Sequence, residues 1–244
     1  MTELIYEQPL SEKIRSYLRL EYLAQQLRHN LEHDHQQRCF YPLFSLLDLN
    51  ERCDYRSDLL KEIDKQLAVL IKWQRLPHVD SNEVQGYIDG LAKGREGLQS
   101  PSRIGSELKQ DRFLSALRQR FGMAGACCNF DLPQLHFWLA KSWDERSHEY
   151  SQWASHFMPL LAPIELLLSL IRSTSDYQDA TAAGGFFQGT NAQALSLIRV
   201  KLDAAQGCYP TISGHKNRYA IHFVRFDDQR HSDKTITFQL ATCA

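Results

Sequence analysis

The 244-residue chain has almost no net charge: 28 Lys and Arg against 29 Asp and Glu leave −1. A balance of this kind does not suit a protein that coats nucleic acid over its whole surface, so an acidic or polyanionic partner must be met by a local patch. Long apolar runs are also missing. The most hydrophobic window, 157–171, is too short to span a bilayer and carries Pro159, Pro163 and Glu165, so it reads as a buried helix with a proline at its entry. The opening residues MTELIYEQPL show no basic segment followed by an apolar stretch, which leaves no secretory signal; a soluble, cytosolic protein is expected. Internal repeats and low-complexity tracts are absent as well. Hydrophobic residues at 43% and charged residues at 23% are ordinary for a globular protein, and the length suffices for a substantial core.

The usual signatures of a reacting centre are lacking. The six cysteines (Cys39, Cys53, Cys127, Cys128, Cys208, Cys243) are scattered, and the adjacent pair cannot frame an ordinary disulfide network, so reduced thiols are expected. Cys127-Cys128 sits in GMAGACCNFDLP with His136 downstream. A Cys–His nucleophile needs spatial contact and an oxyanion donor, and the pair reads instead as small buried thiols. The glycines at 184–189 have no GK[ST] ending, which excludes a phosphate-cradling loop. No paired carboxylates lie in an apolar setting fit for acid/base work. His29, His33, His35 and Cys39 form H-x3-H-x-H-x3-C, in which two imidazoles four apart could share a metal, yet the polar, Gln-rich surroundings read as a loop of solvated histidines. The expectation is a protein that is not an enzyme, with no cofactor and no metal.

The organisation is legible from periodicity. LIYEQ at 4–8 reads as a short strand ended by Pro9. A helix follows from a Ser11 cap, with Tyr17, Leu18, Leu20, Tyr22, Leu23, Leu27 and Leu31 covering more than one stripe, as in a helix deep in a core or shared with a second subunit. Further helices are expected at about 42–49, from about 57 to 71, and after the LPHVDSN turn. This last helix has Gly86, Gly90 and Gly94 at every fourth position, a spacing that allows close packing at some cost in stability. SPSRIGSELKQDRFLSALRQRFG reads as one basic helix, followed by helices at about 132–140 and 144–173. The period then switches to alternation: Ile198, Val200 and Leu202, then Ile236, Phe238 and Leu240. The fold class is α+β: a mostly helical domain at 10–178, then a small antiparallel β-sheet domain at 179–244, which the N-terminal strand (1–9) is placed to join.

What is present in quantity is local cationic charge. ISGHKNRYAIHFVRF at 212–226 holds Lys216, Arg218, Arg225, His215 and His222 and no carboxylate. Tyr219, Ile221 and Phe223 share one strand face, and Lys216, Arg218 and His222 the other, with Ser213-Gly214 as the turn. The second basic locus runs from Arg103 through Lys109, Arg112 and Arg118 to Arg120, with Arg52 able to extend it. Such surfaces are either solvated outer faces or a groove for an anionic partner, and the near-neutral chain favours a peptide over nucleic acid.

Five blocks, YEQPLSEKIRSYLRLEYL, DYRSDLLKEID, SPSRIGSELKQDRFLSALRQRF, GACCNFDLPQLHFWL and YPTISGHKNRYAIHF, run in order across essentially the whole chain and resemble the ZapD family, bacterial cell-division proteins associated with the FtsZ ring. The resemblance implies a cytoplasmic homodimer at the mid-cell division site. It would bind the C-terminal tail peptide of the tubulin-like GTPase FtsZ and cross-link FtsZ filaments into bundles that support Z-ring assembly. No membrane contact is expected, and a nucleic-acid-binding module on the same basic-aromatic face is the alternative. Carried over residue by residue, the family's basic binding surface falls on Arg52, Arg112 and Arg218. A further strand position, usually Arg in the family, is His222 here, a residue type only partly charged near neutral pH. Lys216, Arg225 and Arg103 complete the expected partner-binding set, although the parity of Arg225 puts it with Tyr219 and Phe223. Arg19 and His136 match positions tied to the family's dimer or charged surfaces, and Leu20 is placed with them on a dimer or charged surface. HNLEHDHQQRC does not resemble the family's usual sequence.

Overall fold

The structure is a computed structural model describing residues 2–77, 79–100 and 103–244. Met1, His78 in the LPHVDSN turn, and Pro101 and Ser102 at the head of the stretch read as one basic helix lie outside the described residues. The chain divides into two compact units, Met1–Leu18 with Leu168–Ala244, and Arg19–Leu167.

The first unit carries the β-structure. Its strands are β1 (Glu3–Pro9), β2 (Gln178–Ala182), β3 (Phe186–Thr190), β4 (Leu197–Asp203), β5 (Cys208–His215), β6 (Arg218–Arg225) and β7 (Ile236–Cys243). They form two antiparallel sheets, ordered β1-β4-β7-β2 and β3-β6-β5. The N-terminal strand does join the sheet, with Glu3 opposite Asp203 and Pro9 opposite Leu197. Pro9 is tolerated there because β1 is an edge strand. The period-2 residues face inward as expected: Ile198, Val200, Leu202, Ile221, Phe223, Ile236 and Phe238 make one core with Ala182, Leu195 and Cys208.

Two features of this unit depart from the sequence reading. The sequence reading expects a single sheet; two are present, and QDATA and CYPTISGH add a strand to each, despite few apolar residues in the first and a proline and a glycine in the second. Ser213-Gly214 is therefore not the hairpin turn but lies inside β5. The turn falls at Lys216-Asn217, with His215 opposite Arg218. Lys216 sits in that turn rather than on the strand, at a left-handed φ of 55°.

The helices are α1 (Glu12–Glu32), α2 (Phe40–Arg52), α3 (Arg56–Trp73), α4 (Ser81–Leu98), α5 (Arg112–Phe121), α6 (Pro133–Leu139), α7 (Trp143–Ser155) and α8 (Met158–Ser173), so the boundary between the units falls within α1 and α8. In the second unit the core holds Leu20, Phe40, Leu43, Leu46, Leu59, Ile63, Leu91 and Phe157. Two expected helices are broken. The basic stretch is a short 3-10 turn at Ser106–Lys109, entered through Gly105 at φ 73°, and then a separate α5. The break is built in by Asp111, whose carboxylate accepts from the Phe113 and Leu114 amides at 2.8 and 3.0 Å and so caps α5. The stretch 144–173 splits into α7 and α8, bent by 73°. Among the described residues no single helix is long and apolar enough to cross a membrane.

The glycine spacing on α4 has a packing cause. A Cβ added at Gly90 would lie 2.7 Å from Leu166 Cδ1, and one at Gly94 2.8 Å from Pro163 Cβ, so α4 lies close against α8. Gly86, the third of the series, faces open space.

Candidate functional site

The β3-β6-β5 sheet turns one face to the core and the other outward. Strand register places Phe186, His222 and Thr211 in one row, Gln188, Ala220 and Ser213 in the next, and Thr190, Arg218 and His215 in the third. None of these nine residues is buried and none is acidic; Arg218 supplies the permanent positive charge of the face, His215 and His222 add imidazoles, and Lys216 stands at its rim. Neither Arg218 nor Lys216 has a carboxylate partner among the described residues. The His222 ring lies between Phe186 and His231, with centroids at 4.7 and 4.9 Å, which adds an aromatic strip beside the charges. Missing β5 hid part of this face: His215 and Thr211 join it only because CYPTISGH is a strand.

Arg225 does not belong to this face. It pairs with Asp228 at 2.5 Å and Asp233 at 3.5 Å, and its hydrogen bond to Asp228 holds the guanidinium above its ordinary pKa. Its charge is answered locally, as the parity of its position foreshadows.

In the helical unit the basic locus shrinks in the same way. Arg103, expected to face a partner, instead donates to the Asn50 carbonyl and to the Glu51 carbonyl at 3.0 Å, closing the C-terminus of α2. Arg118 reaches both Glu51 oxygens at 2.8 and 2.9 Å, and Lys109 lies 3.0 Å from the same carboxylate. The Arg118 hydrogen bond leads the effects that pull Glu51 down to about 2. Arg120 binds Asp131 at 2.9 Å. Arg112 and Arg52 remain exposed and without a carboxylate partner among the described residues. Arg52 stands in the last turn of α2, where the helix dipole favours a cation.

Beside Arg112, Asp111, Phe113, Phe137, Trp138, Lys141 and Trp153 line an open pocket of about 420 Å³. Phe137 is 71% exposed, a large apolar surface for a monomer to leave in water. Residues 113, 138 and 153 lie on three different helices, so no local sequence pattern announces the pocket. His136 is exposed on α6 and Arg19 is exposed on α1. Leu20 is a correction: it is 0% exposed within this chain and packs the core instead of a surface. On α1 the exposed apolar group is Tyr22.

Burial raises the Cys127 thiol above its ordinary value, and Cys128 donates to the Asp131 carboxylate at 3.3 Å. His29, placed in a loop by the sequence reading, lies on the last turn of α1, and the three histidines 29, 33 and 35 come together without Cys39.

Comparison with known proteins places the chain in a family. A family model described as "ZapD: Cell division protein" matches residues 18–222. The chain is 70% identical over 244 residues, with both chains fully covered, to Cell division protein ZapD of Shewanella sp. (strain MR-7). A protein of the same name from Shewanella baltica is 67% identical over the same length. One from Escherichia coli is 37% identical over 246 residues, covering 99% of each chain. This chain therefore belongs to the ZapD family of cell division proteins and has a role in division.

Proposed function

We propose that the protein is a non-enzymatic, cytoplasmic adaptor that acts at the mid-cell division site. In this reading it binds the C-terminal tail of the tubulin-like GTPase FtsZ and, as a homodimer, cross-links FtsZ filaments. The observation that carries the reading is the outer face of the β3-β6-β5 sheet, whose nine residues include no acid and where Arg218 and Lys216 have no carboxylate partner among the described residues, beside the Phe186–His222 strip. An Arg fork suits the carboxylates of an extended peptide, and neighbouring rings suit its apolar side chains. In the helical unit, exposed Arg112 stands in sequence between Asp111 and Phe113, two residues that line the aromatic pocket. Two-fold symmetry supplies two copies of each surface, so one dimer grips two filaments and gains avidity along them.

Sedimentation of polymerised FtsZ tests the reading. The protein should pellet and bundle with full-length FtsZ and stay in the supernatant with FtsZ lacking its C-terminal tail. Pelleting that survives tail removal overturns the tail contact. Binding to DNA with a steep loss on adding salt, in place of FtsZ pelleting, would transfer the same face to nucleic acid.

A further inference from the structure

His29 lies in the last turn of α1, and His33 follows four residues later, where helix geometry stacks side chains on one face. The helical pattern persists to that point, because the His33 amide donates to the His29 carbonyl at 3.0 Å. The chain then turns and brings His35 back to the same place. The His29 ring centroid lies 4.5 Å from that of His33 and 4.8 Å from that of His35. One ring nitrogen from each of the three imidazoles lies within 4.8 Å of the other two.

The third histidine is held in place from both sides. Asp34 accepts from Arg146 at 2.7 and 2.5 Å, and its Oδ1 also accepts from the Gln36 amide at 3.0 Å. Arg146 in turn lies over the Trp138 and Trp143 rings, 5.5 and 5.6 Å from their centroids. His35 Nε2 is buried and, among the described residues, has no hydrogen-bond partner. A buried polar atom left so is costly unless something accepts or donates to it. The donor set is all nitrogen. Asp34 is committed to Arg146, and Cys39 is a buried thiol pushed up to about 12, chiefly by burial.

We propose that His29, His33 and His35 form a three-imidazole site for a borderline divalent transition ion such as Zn2+. Three imidazoles favour such ions over Mg2+ and Ca2+, which take oxygen ligands, and they leave a fourth position open to water or an outside ligand. Metal–nitrogen bonds of about 2.0–2.1 Å require the three nitrogens to draw together by about 1–1.5 Å, within reach of rotation by the exposed His29 and His33 side chains. The bound ion would tie the end of α1 to the segment leading into α2.

Co2+ and Zn2+ titrations of untagged protein test this. The wild type should take up one ion per chain, with Co2+ giving visible ligand-field absorption that Zn2+ displaces. His35→Ala, and separately the double variant His29→Ala/His33→Ala, should each weaken binding at least about tenfold. Because His29 and His33 are exposed, the double variant should keep the wild-type far-UV circular dichroism. Absence of binding at millimolar Zn2+ overturns the site. So does affinity unchanged in both His35→Ala and the double variant, which would place the ion elsewhere.

Discussion

Arg146 grips Asp34 through two parallel hydrogen bonds of 2.7 and 2.5 Å while its own side chain is 7% exposed. Removing Asp34 would strand a buried guanidinium over two tryptophan rings, and charges left unpaired in that way are costly. Asp34→Ala should lower stability by about 2 kcal/mol, less than the ~3–5 of a fully buried pair because Asp34 itself still reaches water. The shift of the urea midpoint measures it.

The same pair sets a direction for pH. The Arg146 hydrogen bond is the leading cause of the lowered Asp34 pKa, and Glu51 is pulled from its ordinary 4.5 to about 2, chiefly by its hydrogen bond from Arg118. A carboxyl with a depressed folded-state pKa adds stability above its ordinary pKa and loses it as pH falls through the depressed value. The Glu51 contribution should therefore fade between about pH 4.5 and about pH 2, and Glu51→Gln should flatten the acid limb of a denaturation-midpoint profile over that window. An identical slope in the variant would remove Glu51 from the account.

Free and committed arginines should separate by assay. Arg218→Glu and Arg112→Glu should each cut FtsZ-tail binding at least about tenfold while leaving the urea midpoint within about 0.5 kcal/mol of wild type. Arg103→Ala should do the reverse: it opens the end of α2, costs about 1 kcal/mol, and leaves tail affinity close to wild type. Fluorescence anisotropy with a labelled tail peptide reads the first quantity.

Lys216 adopts its left-handed backbone without being glycine. Lys216→Gly should stabilise the β5–β6 hairpin by up to about 1 kcal/mol, since an L-residue pays roughly that in this region. It should also weaken tail binding by removing a rim charge. A variant that gains stability and keeps full affinity would take Lys216 out of the binding surface.

The glycines of α4 predict opposite signs from one substitution. Gly86→Ala meets nothing within 4 Å and should stabilise by about 0.5–1 kcal/mol. Gly94→Ala must displace the Pro163 ring from 2.8 Å and should destabilise, by about 1–3 kcal/mol. Thermal midpoints of the two variants decide.

These cases also show what a single sequence discloses. Alternation gave β6 and β7 directly, because Ile221, Phe223, Ile236 and Phe238 each place one face in the core. It could not give β5, where Pro210 and Gly214 imitate a turn, or the break before α5, where Asp111 looks like one more charge on a helix. Charge counting put Lys216, Arg218 and His222 on one strand face, but Lys216 lies in the turn, and counting could not tell Arg218 from Arg225. The difference lies in Asp228 and Asp233, which the chain folds back onto only one of them. Arg103 is legible as a cation and becomes a cap only when residue 50 is beside it in space. The histidine cluster is the converse case: a polar loop by composition, and a converging set once the Asp34–Arg146 clamp is seen.

The strand pairing of β1 has a consequence for how the chain is made. Glu3 to Pro9 pair with Asp203 to Leu197, so β1 is synthesised before the whole helical unit that separates it from its sheet neighbour. The helical unit, Arg19–Leu167, is contiguous and can settle during synthesis. The β unit cannot close until β4 and β7 have emerged. Until then LIYEQ waits as an unpaired strand, open to pairing with neighbouring chains on a polysome.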